Sequence, residues 1–204
     1  MGLYARYVLP RLIETACAQK PMMDLRMRYV PHARGRVLEI GIGTGHNLKF
    51  YGESVTSVTG IDPAAELTSK ARLRAQALHC PVFVIEQSGE FIPAEDAFFD
   101  TVVCTWTLCS IPNVYRALAE MRRVLTPDGK LIFIEHGRAP DPGVVRWQER
   151  IEPLWKKIGG GCHLARPISR LIEDAGFGIA SLETGHVPGP KVASFMYHGV
   201  AVPR

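Results

Sequence analysis

Glu39, Gly41, Gly43, Gly45 and Asp62 are the residues of this chain whose types and spacing could do chemistry. The stretch Val37-Leu38-Glu39-Ile40-Gly41-Ile42-Gly43-Thr44-Gly45-His46-Asn47 reads as a buried β-strand running into a glycine turn that opens a helix. Glycine is needed where backbone takes positive φ or comes within contact distance of a ligand. A helix N-terminus at such a turn presents unpaired N–H groups and a favourable field to an anionic group. Taken singly, Asp62 also fits an ordinary helix cap, and Glu39 a surface-facing strand residue. Their order and spacing together point to a grip on a nucleotide-like small molecule.

The spacing narrows the ligand. A dinucleotide fingerprint places its third glycine five residues after the first. His46 stands there, and the third glycine comes one residue early, at Gly45. The phosphate-loop pattern G-x-x-x-x-G-K-[ST] is missing from the sequence. The pattern E-x-G-x-G-x-G instead resembles the binding loop of class I S-adenosylmethionine-dependent methyltransferases, whose cofactor has no phosphate. That resemblance implies that Gly41 and Gly43 leave room for the cofactor and that Glu39 helps hold its methionine ammonium. Asn47 falls in the same loop. Asp62, followed by Pro63 and lying 21 residues after Gly41, ends the second strand and is implied to accept the ribose hydroxyls. Gln87-Ser88-Gly89-Glu90 follows the third strand, where the family usually carries Gly-Asp-Ala-Glu against adenine. Ser88 departs from that acid, which weakens the adenine contact or leaves it to backbone. Thr105-Trp106-Thr107-Leu108 follows the fourth strand, where the family approaches the methionine end; Thr105, Trp106 and Leu108 are the residues expected there.

The resemblance covers essentially the whole chain. Residues 36–135 look like the core shared with ubiquinone and menaquinone C-methyltransferases. Ile134-Glu135-His136-Gly137, Arg146-Trp147-Gln148, Pro153-Leu154-Trp155, Gly161-Cys162-His163-Leu164, Arg166 and Tyr197-His198-Gly199-Val200-Ala201 resemble the thiol S-methyltransferases of animal membranes and their soluble bacterial relatives. The expected function is therefore methyl transfer to a small-molecule acceptor, with a thiol or hydrosulfide favoured. A phospholipid amine or a quinone-precursor ring carbon is the rival acceptor. A cofactor-binding module without catalysis is the non-enzyme alternative, and a dehydrogenase the third class. The animal proteins carry a hydrophobic anchor that residues 1–32 do not match, so membrane association is not carried over.

A thiol acceptor suits a site with little machinery. Its pKa of about 8.5 leaves a few per cent thiolate at neutral pH, and the thiolate is intrinsically nucleophilic. His136, His163 and Tyr197 are the candidates for a base or orienting group. Each histidine also reads as structural. Cys162 reads either as a thiol that bonds transiently to a thiol substrate or as a buried inert cysteine. Trp106, Trp147 and Trp155 could wall an apolar pocket, with Trp155 also fitting the core. The Asp/Asn-Pro-Pro-Tyr/Phe motif of nucleobase-amine methyltransferases is replaced by Thr105-Trp106-Thr107-Leu108. No cluster suggests a magnesium site, and no metal is expected.

The elements that must position these groups follow from patterning. Strand candidates fall at 36–41, 57–61, 82–86, 100–105, 130–135, 177–184 and 194–202. Ala64, Leu67, Ala71, Ala75 and Leu78 have helical spacing, as do Val114, Leu118, Met121 and Leu125, the latter helix ended by Pro127-Asp128-Gly129. Alternating strands and helices mean βαβ units and a parallel sheet. After Asp141-Pro142-Gly143 a helix is expected with Trp147, Ile151, Leu154/Trp155 and Ile158 on one face, stopped by Gly159-Gly160-Gly161. Pro167 opens another, capped by Gly176. The last two strands, joined without a helix, pair antiparallel. The expected fold is α/β: a Rossmann-like seven-stranded mostly parallel sheet with an antiparallel last strand, helices on both faces and an N-terminal helical cap. The 204 residues read as a single domain: a cap over 1–32, a cofactor-binding core over 36–135 and acceptor-side elements over 136–204.

Net charge is +4 and the basic pairs Arg34/Arg36, Arg72/Arg74, Arg122/Arg123 and Lys156/Lys157 are scattered, so they read as solvated helix faces rather than a nucleic-acid stripe. Five cysteines without a CxxC, and no secretory leader, point to a reduced cytoplasmic setting. No apolar run reaches the length of a membrane span. Residues 3–13 are amphipathic and basic; packing over the site is favoured over membrane-surface contact. The sequence leaves the oligomeric state open.

Overall fold

The computed structural model describes Tyr4 and residues 8–204. The expectations for residues 1–3 and 5–7 of the amphipathic N-terminal segment lie outside the described residues. In chain order the elements are α1 (Leu9–Cys17), α2 (Lys20–Tyr29), β1 (Gly35–Ile40), β2 (Val55–Ile61), α3 (Ala65–Ala75), β3 (Val82–Ile85), β4 (Phe99–Thr105), α4 (Val114–Val124), β5 (Leu125–His136), α5 (Pro142–Ile158), α6 (Ile168–Asp174), β6 (Phe177–His186), α7 (Lys191–Ser194) and β7 (Phe195–Pro203).

The seven strands form one sheet in the order β3-β2-β1-β4-β5-β7-β6. β7 pairs antiparallel with both neighbours, and the other pairings are parallel. The fold is thus the expected Rossmann-like mixed sheet. Strands covered on both faces read as continuous apolar runs because alternate side chains enter two different cores. Leu38 and Ile40, Val102 and Cys104, and Leu131 and Phe133 pack with α4 and α6. Val37, Val103, Ile132 and Ile134 point the other way, toward Tyr29, Leu48, Tyr51 and Ala71. α4 lays Val114, Ala117, Leu118, Met121 and Val124 inward, and its N-cap Asn113 accepts from the Arg116 N–H at 3.1 Å. Burying one such Leu or Met side chain contributes roughly 1.5–3 kcal/mol.

Several expectations are corrected. No α-helix follows the glycine turn; among the described residues only a three-residue 3₁₀ turn, Leu48–Phe50, stands between β1 and β2. The turn is occupied by left-handed glycines and is held by backbone bonds to β2, Gly41 and Ile42 both donating to the Ile61 carbonyl. It is therefore a close-approach turn rather than an anion-binding helix terminus. A one-turn helix, α7, separates β6 from β7, where none was expected. Pro127-Asp128-Gly129 lies within β5, where the β4–β5 register shifts between Phe99 and Thr101.

The inner face of α5 is also different. Of the apolar stripe, Ile151 and Trp155 are half-buried, but Trp147 is 58% exposed and Leu154 66%, while Val145 and Gln148 are buried. Gln148 explains the rotation. Its amide accepts from the Ala139 N–H at 3.1 Å and lies 3.0 Å from the carbonyls of Gly137 and Leu164 and 3.1 Å from that of Val192. Buried backbone groups of several loops require those partners, so the polar residue faces inward and the larger apolar ones are left outside.

The scattered arginines are not merely solvated. Arg74 donates to the Thr44 carbonyl at 2.6 Å and hydroxyl at 2.9 Å, Arg122 to the carbonyls of Gly176 and Arg204, and Arg123 to Glu120, Asp96 and two carbonyls. Among the described residues no helix is long and apolar enough to cross a membrane.

Candidate active site

The strand order reverses at β1: the chain proceeds outward through β2 and β3, then returns to β4 on the other side of β1. In open α/β sheets ligands occupy the crevice beyond the carboxyl ends of the strands at such a point. Glu39 of β1 and Thr105 of β4 end there, and a cavity of ≈ 420 Å³ opens above them. α1 roofs it with Leu9, Pro10, Ile13, Glu14 and Cys17.

The three glycines of the turn all have positive φ, at 72°, 52° and 80°, but they do different work. A Cβ on Gly41 would lie 2.1 Å from Thr107 Oγ1, so this glycine permits β1 and the β4 turn to pack together. A Cβ on Gly45 would meet Leu48 at 2.8 Å and Ala71 at 3.1 Å, which makes it a packing glycine against α3. At Gly43 nothing stands closer than the Gly41 carbonyl at 3.9 Å. Gly43 alone of the three turns its missing side chain into open space.

Of the thirteen cofactor-side residues expected from sequence, Glu39, Gly41, Gly43, Asn47, Asp62, Pro63, Ser88, Gly89, Thr105 and Trp106 line the cavity. Gly45, Glu90 and Leu108 do not. Glu90 instead accepts from the Ser88 hydroxyl at 2.8 Å and the Asn113 N–H at 2.7 Å, and Leu108 is fully buried in the core beside α4. Asp62 spans two backbone donors, one oxygen accepting from Gly43 at 3.0 Å and the other from Ala64 at 2.9 Å. It is thus no simple helix cap but a strap across the glycine turn. Burial pushes its carboxyl up, against those two hydrogen bonds.

Glu39 is 2% exposed and already engaged. It accepts from Asn47 Nδ2 at 3.0 Å and from the Tyr51 hydroxyl at 2.7 Å. Burial raises its pKa to about 7, partly offset by Tyr51, Arg26 and Asn47. Asn47 also donates to Thr105 Oγ1 at 3.1 Å and accepts from Arg26 Nε at 2.8 Å. Arg26 is a residue the sequence did not single out. It is buried, donates to the Cys17 carbonyl at 2.7 Å, and stacks 4.5 Å from the Trp106 ring centroid. One guanidinium therefore joins α2, the end of α1, the glycine loop and β4. Trp106 itself has φ 51° and an indole N–H without a partner. Such backbone strain in a bulky residue clusters at functional sites.

The four candidate catalytic residues do not line the cavity among the described residues. Tyr197 donates to the Arg138 carbonyl at 2.6 Å, and His163 Nδ1 pairs with Glu152 at 3.0 Å, whose other oxygen accepts from Leu164 and Ala165. His136 and Cys162 do meet, with Nε2 and Sγ 3.1 Å apart. Trp155 donates its indole N–H to the same sulfur at 3.3 Å. Cys109, which sequence reasoning left aside, completes the group: its sulfur, that of Cys162 and a His136 ring nitrogen lie within 4.8 Å of one another. The hydrogen bond from the Cys109 thiol, with those from His136 and Trp155, holds Cys162 below the ordinary thiol range against its burial, while Cys109 is pushed up. Burial opposes charge on His136, yet the Cys162 sulfur beside it holds the imidazole above its ordinary value. No spacing in the sequence signals this group, because its members come from the β4 turn, the end of β5 and the loop after α5.

Known proteins bear on these features. Residues 38–133 match the family described as "Methyltransferase domain". The thiol S-methyltransferase TMT1B of Rattus norvegicus is 37% identical over 151 residues, 72% of this chain and 62% of that protein. The phosphatidylethanolamine N-methyltransferase of Cereibacter sphaeroides is 36% identical over 104 residues, 50% of this chain and 51% of that one. The chain thus spans less than two thirds of either relative. A solved SAM-dependent methyltransferase from Methanosarcina mazei superposes with a TM-score of 0.67 at 21% identity, covering 82% of this chain and 92% of that one. The matched core, the glycine turn at the β1/β4 crevice and the seven-stranded sheet with its reversed β7 agree: the chain belongs to the S-adenosylmethionine-dependent methyltransferases.

Proposed function

We propose that this chain binds S-adenosylmethionine in the cavity under α1 and methylates a small thiol. The observation that carries the cofactor assignment is the open cradle at Gly43, where a Cβ would project into unfilled space at the crevice. Around it the residues fit the group. Asp62 uses one acceptor position of each oxygen for backbone N–H groups. A carboxylate offers about four such positions, so two are left for ribose hydroxyls. Glu39 and Asn47 also line the cavity, as do Ser88 and Gly89 from the loop after β3.

Bound S-adenosylmethionine supplies an electrophilic methyl group on a positive sulfonium. The chain's own contribution is alignment and exclusion of water, which is positioning work. Leu9, Pro10 and Ile13 of α1 and Trp106, Ile111 and Pro112 of the β4 turn give the cavity an apolar wall. The acid on α1, Glu14, is engaged by Lys70 and, at 3.3 Å, by Arg74, so it is poorly placed as a general base. An acceptor that ionises without help fits this wall. A thiol with a pKa of about 8.5 does so and releases its proton to solvent; an alcohol would not. The thiol S-methyltransferase relative matches 72% of the chain, whereas the phosphatidylethanolamine relative matches 50% of it.

Incubation with methyl-labelled S-adenosylmethionine and matched panels of thiols, amines and phenols tests the reading. Labelled thioether is the expected product. Preferential labelling of an amine or phenol would replace the thiol assignment, and cofactor binding without transfer to any acceptor would make the chain a binding module.

A further inference from the structure

We propose that Cys109, His136 and Cys162 form a binding site for a thiophilic metal ion of the zinc class, one layer behind the acceptor side of the cavity. The inference is independent of the thiol-acceptor reading. The three side chains arrive from three separate segments: the turn after β4, the last residue of β5 and the loop after α5. Their two sulfurs and one ring nitrogen lie within 4.8 Å of one another, with His136 Nε2 3.1 Å from Cys162 Sγ. Tetrahedral zinc, with sulfur at about 2.3 Å and nitrogen at about 2.0 Å, sets neighbouring ligand atoms roughly 3.3–3.8 Å apart. The His136–Cys162 separation falls just short of that range and the distances to the Cys109 sulfur stay within 4.8 Å, so side-chain shifts of well under a residue's width close the site.

The donor set is soft: two thiols and an imidazole, without a carboxylate oxygen among them. Sets of that kind select zinc or copper(I) over magnesium or calcium. Three protein ligands leave a fourth position for water or an exogenous group. Cys162 is half-buried, so solvent reaches that side, whereas Cys109 and His136 are buried.

The surroundings hold the ligands in place before any ion arrives. Gly160 and Gly161, at φ 65° and 86°, turn the chain sharply after α5 to deliver Cys162. The His163 N–H donates to the Cys109 carbonyl at 2.8 Å, tying the two cysteine-bearing loops together. Glu152 fixes the same loop through His163, Leu164 and Ala165, and the Trp155 indole N–H is aimed at the Cys162 sulfur. Orientation of ligands by such outer contacts is typical of metal centres. His136 is 8% exposed and its other nitrogen, Nδ1, has no partner. The imidazole's orientation therefore rests on what Nε2 meets. An ion here would clamp the β4 turn, which brings Trp106 and Ser110 to the cavity, to the loop that brings Gly160.

The test uses the full chain, stripped of metal by a chelator under reducing conditions, and titrated with Zn²⁺ against a chromophoric competitor. One equivalent is expected to bind. Co²⁺ in its place should give thiolate-to-metal charge-transfer absorption, and X-ray absorption on the zinc-loaded chain should report two sulfur neighbours and at least one nitrogen. Cys109→Ser and Cys162→Ser should each weaken binding by at least ~100-fold, and Cys80→Ser should not. Zinc should raise the melting temperature of the parent and of Cys80→Ser only. Sub-stoichiometric binding to the parent chain would overturn the proposal, as would cobalt spectra without thiolate bands or undiminished binding in the Cys109→Ser/Cys162→Ser double variant. Air oxidation to a Cys109–Cys162 disulfide in a chain that takes no zinc would assign the pair to redox chemistry and overturn it equally.

Discussion

Exchanging Gly41 and Gly43 for alanine separates the two tasks of the glycine turn. Both have left-handed backbone, at φ 72° and 52°, and an L side chain in that region costs about 1–2 kcal/mol. Gly41→Ala adds a collision, since its Cβ falls 2.1 Å from Thr107 Oγ1 and 2.5 Å from Cγ2. Overpacking of that order costs a further ~1–3 kcal/mol. Gly43→Ala adds none, its nearest neighbour being 3.9 Å away. The expected loss of stability is thus about 2–5 kcal/mol for Gly41→Ala and about 1–2 kcal/mol for Gly43→Ala. For a chain of this size the latter lowers the melting temperature by roughly 2–8 °C. Affinity should rank the other way. The Gly43 methyl would occupy space proposed for S-adenosylmethionine, and a loss of ~1–3 kcal/mol there is a ~5- to 150-fold weaker Kd. Urea denaturation and calorimetric titration read the two quantities. A double-mutant cycle of Gly41→Ala with Thr107→Gly should recover a coupling of about 1–3 kcal/mol, because the second change removes the obstructing side chain. Wild-type affinity in Gly43→Ala would refute the placement of the cofactor over Gly43, and equal stability loss in the two variants would refute the packing role of Gly41.

Three further outcomes are expected. Asp62→Ala removes the acceptor shared by the Gly43 and Ala64 N–H groups, so it should weaken S-adenosylmethionine binding at least ~10-fold and cost about 1–3 kcal/mol of stability, with Asp62→Asn milder in both; calorimetry and denaturation measure this. Arg26→Met breaks the bonds to Asn47 and the Cys17 carbonyl and the stack on Trp106; it should cost about 2–4 kcal/mol and shift tryptophan fluorescence, and an unchanged spectrum would contradict the contact. Glu39 is raised by burial to about 7 from 4.5, facing Arg26 of α2, Asp62 just after β2 and the donors Asn47 and Tyr51. The folded state therefore holds the proton that the unfolded state releases between these values, and stability falls as pH rises from about 5 to about 7. Glu39→Gln should be free of that contribution, so its stability relative to the parent should grow by up to ~3 kcal/mol across the window; a constant difference would show that Glu39 does not titrate there.

The legible half of the molecule is the half whose signals are local. Each strand announced itself within about six residues, because side chains alternating between two cores leave an apolar run that short-range patterning detects. The reversal at β7 was equally legible, since β6 and β7 are joined too closely for a parallel crossover. The glycine turn and Asp62 sit at fixed short distances from strand ends, so their meeting at the crevice followed from the topology. The error in that region, a helix after the turn, came from carrying over a phosphate-site geometry. A ligand without phosphate needs close backbone and not a row of aligned N–H groups.

The other half depends on convergences that no spacing encodes. Hydrophobicity on α5 favours the stripe Trp147, Ile151, Leu154, Trp155 and Ile158; Ile151 and Trp155 do turn inward, but beside Val145, Gln148 and Glu152, while Trp147, Leu154 and Ile158 stay exposed. Gln148 decides the matter because buried backbone groups of two loops and of α7 need its amide, a demand invisible until those segments are placed. Once that face is turned in, Glu152 reaches His163 and Trp155 reaches Cys162. The rotation of one helix by one polar residue thus sets the loop that carries Cys162 to His136 and Cys109. It follows that Gln148→Leu, which keeps the volume and removes the amide, should disturb the acceptor side and spare the cofactor side. S-adenosylmethionine affinity should stay within ~3-fold of the parent while the thiol reactivity of Cys162 toward an alkylating probe changes severalfold. Equal loss at both ends would mean that α5 supports the whole crevice, and that the division into a locally written half and a convergent half is wrong.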